Sequence, residues 1–355
     1  MQIIADWFRR LFTDPQAVIL LVILLVGGGV ILLMGQMLTP VLAGIVIAYL
    51  LEGLIQRLER LCLPRTMAVY LVFTLFSAGV LFVLFGLLPQ ASRQLTQLVQ
   101  QLPSMIVKGQ ELLMGLPEAY PSYISEAQVT QLIDTVRSEL GNLGQQALTW
   151  SLSAGLGLIT LGIYLFLVPF LVFFFLKDKH QILAWFHRFL PEDYSLARQV
   201  WHEVDAQIGN YVRGKFMEIV VVWAVTFLQF AMMGLQYAML LSLMVGLSVI
   251  IPYIGAVVVT IPVALVAFFQ WGWGPDFMWL LVGYTIIQVL DGNVLVPVLF
   301  SEAVDLHPVA IIVAVLVFGG LWGFWGVFFA IPLATVVQAV INAWPRRGAS
   351  DAAMA

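Results

Sequence analysis

Eight apolar stretches alternate with polar breaks along the chain, and their lengths set the first expectation. A helix needs about 20 apolar residues to cross the hydrocarbon of a bilayer, because each residue rises about 1.5 Å and every backbone amide must be satisfied within the segment. That ruler selects Ala17–Leu38, Pro40–Glu52, Met67–Leu88, Leu152–Leu176, Phe216–Leu235, Met239–Gln270, Phe277–Pro297 and Pro308–Ala343. The first two are separated only by Thr39-Pro40 and are predicted to form a tight hairpin, with Gly27-Gly28-Gly29 permitting close helix approach. The first run exceeds the core of a signal peptide and has no small-residue cleavage site behind it, so it is expected to remain as a span.

Two of the runs are too long for one tilted span: Met239–Gln270 has 32 residues and Pro308–Ala343 has 36. Each is interrupted near its middle, the first by Ile251-Pro252-Tyr253-Ile254-Gly255 and the second by the glycines Gly319, Gly320, Gly323 and Gly326. Proline removes an amide donor and glycine costs about 1 kcal/mol in a helix interior, so such breaks persist at membrane depth mainly where the backbone turns inside protein or lines a cavity. Two re-entrant hairpins meet that condition; single kinked spans are the alternative. The expected fold is therefore an all-α polytopic membrane protein of about six full spans plus two re-entrant hairpins, or eight spans if the long runs are kinked rods. A span followed by a broken run occurs twice, at 216–270 and 277–343, which as hairpins would form an inverted repeat around a midplane site.

Two further segments carry helical rather than continuous hydrophobicity. Leu95, Leu98, Val99, Leu102 and Ile106, then Val129, Leu132, Ile133, Val136, Leu140 and Leu143, mark amphipathic helices within 89–150, punctuated by Pro103, Pro117 and Pro121. Ile182, Trp185, Phe186, Phe189 and Leu190 form one apolar face in 177–215 and suit an interfacial helix. The chain thus divides into a three-span region (1–88), an amphipathic insert (89–150), a fourth span with interfacial helices (151–215) and a C-terminal core (216–345).

Composition removes the soluble classes: 61 % of residues are hydrophobic and 10 % charged, against about 25 % charged in a soluble domain. With 16 basic and 20 acidic residues there is no surplus for gripping nucleic acid. All but three of the 16 basic residues fall in segments that the span count puts on one side, the exceptions being Arg93, Lys108 and Arg137. Lys and Arg near span ends are retained in the cytoplasm, so both termini are expected there, in a cell (inner) membrane, and 89–150 outside. Cys62 is the single cysteine, and His180, His187, His202 and His307 never take an H-E-x-x-H spacing, so neither a metal site nor a cofactor is expected. No Walker lysine motif and no G-x-S-x-G elbow is present, which argues against ATP hydrolysis and against an intramembrane hydrolase.

An ionisable group inside the bilayer costs about 2.5 to 3.5 kcal/mol on insertion scales, so each one present is a candidate for function. Asp291 and Asn293 flank Gly292 near Pro297, with Gln288 a helical turn earlier, where unwound backbone would coordinate a cation or polar solute. Glu218, beside Arg213 and Lys215, suits an interfacial salt bridge or a proton relay. Glu302, Asp305 and His307 precede the last run as a solvated loop or a titrating gate. The pathway set expected from these arguments is Gln288, Asp291, Asn293 and Pro297 with the break residues Pro252, Gly255, Gly319, Gly320 and Gly323.

The C-terminal half, with Ile251-Pro252-Tyr253-Ile254-Gly255, Asp291-Gly292-Asn293 before Pro297, Leu306-His307-Pro308 and a glycine run leading to Ala330-Ile331-Pro332-Leu333-Ala334, resembles the autoinducer-2 exporter family of PerM-like permeases. The likeness extends over nearly the whole chain; it departs at Ser301-Glu302, where many relatives carry glycine. The resemblance implies a multi-span permease and homo-oligomer that exports a small polar solute such as a quorum-sensing furanone, or, in other members, exchanges sodium for protons. A channel or structural oligomer is a further alternative.

Overall fold

The computed structural model describes residues 15–114, 162–189, 195–252, 254–300 and 306–343, with isolated positions between 117 and 138. Regular structure among the described residues is entirely helical. Among the described residues, six helical stretches are long and apolar enough to cross a membrane: Met37–Arg60, Arg65–Met114, Val200–Met232, Ile254–Trp271, Pro275–Phe300 and Pro308–Phe328. The protein is an all-α polytopic membrane protein.

The first element corrects the sequence expectation. Helix α1 runs unbroken from Pro15 to Arg60, 46 residues with Pro40 inside it, so no hairpin forms at Thr39-Pro40. A proline inside a helix costs about 3 kcal/mol, whereas a reverse turn in lipid would leave several amides unpaired at several kcal/mol each, so the rod is the cheaper solution. The Thr39 hydroxyl donates to the Gly35 carbonyl at 3.1 Å on the same stretch. Gly27, Gly28 and Gly29 have open space where a side chain would be, so no helix among the described residues approaches them closely.

Helix α2 (Arg65–Phe82) passes through a π-turn, Val83–Leu87, directly into α3 (Leu88–Met114), giving a 50-residue rod. The predicted change from span to insert at 88/89 is therefore a change of surface chemistry along one helix, and Pro103 lies within α3 without ending it. Helix α4 (Gly162–Lys177) follows, then α5 (Lys179–His187), whose Leu183, Trp185 and Phe186 are exposed. Helix α6 spans Ser195–Met232, so 195–215 is the first half of a 38-residue helix rather than a separate interfacial segment. Ala48, Leu51 and Ile55 of α1, Ala68, Val69 and Val72 of α2, and Val172 and Leu176 of α4 pack together. At the edge of that cluster Glu52 binds Arg65 at 3.3 Å and Lys179 at 3.0 Å.

The first broken run folds into α7 (Ala238–Ser248) and α8 (Ile254–Trp271) around a turn that includes 249–252. At 11 residues, roughly 16 Å, α7 is too short to cross the hydrocarbon. Its entry lies beside the exit of α8, because the Gln270 amide accepts from the Gln236 amide N–H and donates to the Gly234 carbonyl, both at 2.8 Å. Helix α9 (Pro275–Leu290) then passes through a second π-turn, Asp291–Leu295, into the short α10 (Val296–Phe300). The second broken run forms α11 (Pro308–Phe328) and α12 (Ala330–Ala343), with Ala314 and Val315 packed on Ala330. Inside α11 the chain leaves helical geometry at Gly323, φ 59° and ψ −133°, a left-handed conformation that a side chain disfavours. The largest core joins α6 to α7, α8 and α9 through Val222, Phe230, Leu241, Val245, Val263 and Leu280.

Candidate functional site

Both interrupted runs bring their turns to one stretch of α6. Tyr211 and Lys215 are four residues apart and so share a helix face. The Tyr211 hydroxyl donates to the Phe328 carbonyl at 3.0 Å, at the end of α11 just past the break at Gly323, and Lys215 Nζ donates to the Val249 carbonyl at 2.9 Å, in the turn between α7 and α8. Phe300, at the end of α10, lies between them, its ring 5.7 Å from that of Tyr211 and its face 5.3 Å from Lys215 Nζ. Carbonyls left over where a helix breaks are thus satisfied by side chains from a neighbouring helix, as buried backbone requires.

Close glycine packing makes the two turns compact. A side chain at Gly255 would collide with the Ser248 carbonyl, and one at Gly326 with the Phe318 carbonyl. Gly255, expected on the pathway as a break residue, is required for this close approach. Gly319 faces Val327, Gly320 and Gly323 face open space, and Pro252 is half-buried in the first turn. Trp322 stacks on Phe318 at 5.7 Å with its indole N–H buried and unpaired.

Lys215 also forms a 2.7 Å ion pair with Glu218, and the two residues are 4 % and 3 % exposed. The salt bridge expected of Glu218 is thus present, with Lys215 as its partner and both residues buried by protein. Because α6 begins at Ser195, Glu218 lies well inside that helix rather than at its start. Asp291, opening the π-turn after α9, is within electrostatic reach of both Lys215 and Glu218, and its Oδ1 is buried without a hydrogen-bond partner. Two acidic side chains therefore share one ammonium.

Gln288, one turn before Asp291, has a buried Nε2 and interacts with Tyr284, a further turn back, whose hydroxyl also bonds Thr260 of α8 at 3.1 Å. The other expected members of this group do not join it. Asn293 is exposed and donates to Val289 of its own helix at 2.9 Å, and Pro297 is exposed. The backbone at 291–295 is a widened helical turn instead of an unwound segment. His307 caps α11, its Nδ1 accepting from the Val309 N–H at 3.3 Å, and is exposed. Glu302 and Asp305 lie outside the described residues. Tyr211, Lys215, Gly326 and Phe300 belong to the arrangement without having been singled out as site residues. The signal for Lys215 was its spacing of three from Glu218 at the edge of an apolar run.

Buried charge of this kind, between two turns in a set of membrane-length helices, is what a solute pathway requires and what a lipid-facing structural helix avoids. The profile of the AI-2E family transporters matches residues 20–346. The chain belongs to that family. Among AI-2E relatives, the Escherichia coli (strain K12) protein named as permease PerM is 48 % identical over 345 residues, which cover 97 % of this chain and 98 % of PerM. A Bacillus subtilis (strain 168) protein named as transport protein YueF is 27 % identical, covering 84 % of this chain and 82 % of its own length. The E. coli AI-2 transport protein TqsA is 24 % identical over 86 % of each chain. As an AI-2E family member the chain is a multi-pass permease, not an enzyme, and its cargo is a small-molecule solute. Those three names speak of permeases and transport, none of an antiporter, so the alternative of cation–proton exchange gains nothing from them.

Proposed function

We propose that this permease carries a small polar organic solute across the inner membrane, the solute passing between the two broken runs at the level of Lys215, Glu218 and Asp291. The observation that carries this reading is the meeting of both turns on one α6 face, beside a buried group with more carboxylate than ammonium. On this reading 239–270 and 308–343 are re-entrant hairpins, 216–270 and 277–343 are inverted repeats, and 216–345 is the moving core. The shortness of α7, the Gln270 clamp and the break at Gly323 support that geometry. An autoinducer-2-like, multiply hydroxylated compound is the solute class we favour, since TqsA is named an AI-2 transport protein and carboxylate, amide and hydroxyl groups suit hydroxyls as partners.

We place the end bearing Arg57, Arg60, Arg65, Lys177 and Lys179 in the cytoplasm, because Glu52 gathers two of them at one place. With Pro15–Arg60 a single rod, a cytoplasmic N-terminus no longer follows from a paired-span count. The homo-oligomer implied by the family resemblance fits the uncovered apolar faces at Leu71, Leu75 and Phe85. The test is flux of a labelled furanone into proteoliposomes. Saturable transport that falls at least tenfold in Asp291→Asn and Lys215→Met, with both variants folded, is expected. Undiminished saturable flux in both would remove the pathway from this site.

A further inference from the structure

Between α6 and α9, alongside the apolar contacts of Val222, Phe230 and Leu280, runs a line of polar side chains several of whose atoms neither the fold nor the ion pair satisfies. On α6, Lys215, Glu218, Thr226 and Gln229 fall within an arc of about 80° at 100° per residue. On α9, Tyr284, Gln288 and Asp291 share the opposing face. The register is antiparallel: Gln229 Nε2 donates to the Leu280 carbonyl at 2.9 Å and touches Gly283, and Glu218 is within electrostatic reach of Asp291, which sets Thr226 level with Gly283 and Tyr284.

Four atoms along this line are buried without a hydrogen-bond partner: Gln229 Oε1, Thr226 Oγ1, Glu218 Oε2, which has only its ion pair, and Asp291 Oδ1, while Gln288 interacts with Tyr284. Thr226 is the most telling. It is 0 % exposed, and threonines elsewhere in these helices, Thr39, Thr96, Thr135 and Thr260, bond the carbonyl four residues back, whereas the Thr226 hydroxyl does not. A buried hydroxyl that gives up the bond its own helix offers is oriented toward something else. In hydrocarbon a row of such atoms is tolerated only where water or a polar solute reaches it.

We propose that the α6–α9 seam is a hydrated access path, leading from the end of the bundle that holds Gly234 and Gln270 down to Glu218 and Asp291, and that it admits water and small neutral or cationic hydrogen-bonding solutes while rejecting anions. Rejection follows from the inner end, where Glu218 and Asp291 stand against the one ammonium of Lys215. Of the other charged groups on α6, Arg213 lies against Gly53 of α1 and bonds Asn210, Asp205 accepts from Tyr49 of α1, and Arg198 and His202 lie toward its start. Asp276 in the first turn of α9 adds negative charge at the outer end, and Tyr211 and Tyr284 are neutral. The destination rests on the proposed transport site; the wetness of the seam does not.

The test is thiol labelling in membranes, read without any transported solute. In a Cys62→Ser background, single variants Thr226→Cys and Gln229→Cys are treated with methanethiosulfonates carrying ethylammonium or ethylsulfonate, with Val225→Cys, on the exposed flank of α6, as the lipid-facing control. Thr226→Cys is expected to react with the cationic reagent far faster than Val225→Cys, and about tenfold or more faster than with the anionic reagent. Reactivity at position 226 equal to that at 225 overturns the hydrated path, and equal rates with both reagents overturn the charge filter. Where Thr226→Cys fails to fold, Gln229→Cys carries the same two comparisons. Because the labelling needs no flux, a dry seam and a failed transport assay are separate results.

Discussion

Replacing Lys215 with methionine isolates the energetics of the buried cluster. Its ammonium lies 2.7 Å from Glu218, 2.9 Å from the Val249 carbonyl and 5.3 Å above the Phe300 ring. Methionine fills comparable volume, so the change removes charge with little loss of packing. What remains is a carboxylate deprived of its partner, with a second carboxylate, Asp291, nearby. Removing one member of a buried pair costs about 3–5 kcal/mol, because the survivor's desolvation is no longer offset. That is about two to four powers of ten in the unfolding constant. The double variant Lys215→Met/Glu218→Gln removes both charges, and recovery of at least half of the loss is expected, since buried pairs replaced together are often near neutral. The measurement is unfolding of the purified protein in mixed micelles, followed by tryptophan fluorescence, as a double-mutant cycle. A single-variant cost under about 1 kcal/mol, the range of hydrated surface pairs, would refute the claim that this pair is dry and held by protein.

The pair at Glu52 supplies the contrast: Arg65 and Lys179 are 27 % and 37 % exposed, so Glu52→Gln is expected to cost about 1 kcal/mol or less in the same assay and to lose most of that in high salt. Tyr211→Phe keeps the ring contacts and removes the bond to Phe328; a loss of about 1 kcal/mol and faster hydrogen exchange confined to 323–330 are expected, and unchanged exchange there would count against the latch. Gly255→Ala and Gly326→Ala force a methyl onto a carbonyl and are expected to abolish accumulation of folded protein, while Gly320→Ala, which meets nothing, accumulates normally on fluorescence-detected size exclusion. Equal yields from all three would show that the turns are not closely packed.

Length and hydrophobicity made the membrane class and the two interrupted runs legible, because both depend on the fixed rise of a helix and on the need to pair every amide in lipid. The same rules misled at Thr39-Pro40, where proline was read as a turn although a bent rod leaves fewer amides unpaired. Asp291, Gln288 and Glu218 stood out as polar residues in apolar runs. Asn293 stood out for the same reason yet faces outward, since periodicity across a π-turn does not say which side a residue takes. Lys215 was overlooked as a site residue because the apolar run was cut at Phe216, one residue too late, and Tyr211 because a tyrosine hydroxyl's use depends on a carbonyl 117 positions away. Pairings between distant segments of this kind carry no local signature.

The unbroken rod from Arg65 to Met114 has a mechanical consequence. Arg65 is fastened to Glu52 near one end, and Gln94, further along, accepts from the Leu240 amide in the opening turn of α7 at 2.8 Å. The two attachments are separated by about 44 Å of helix at 1.5 Å per residue. Over that lever a pivot of about 3° at the arginine displaces the glutamine by roughly 2 Å, enough to break a hydrogen bond. The α1–α2 junction and the mouth of the first broken run are therefore joined by a stiff strut whose only irregular joint is the widened turn at Val83–Leu87.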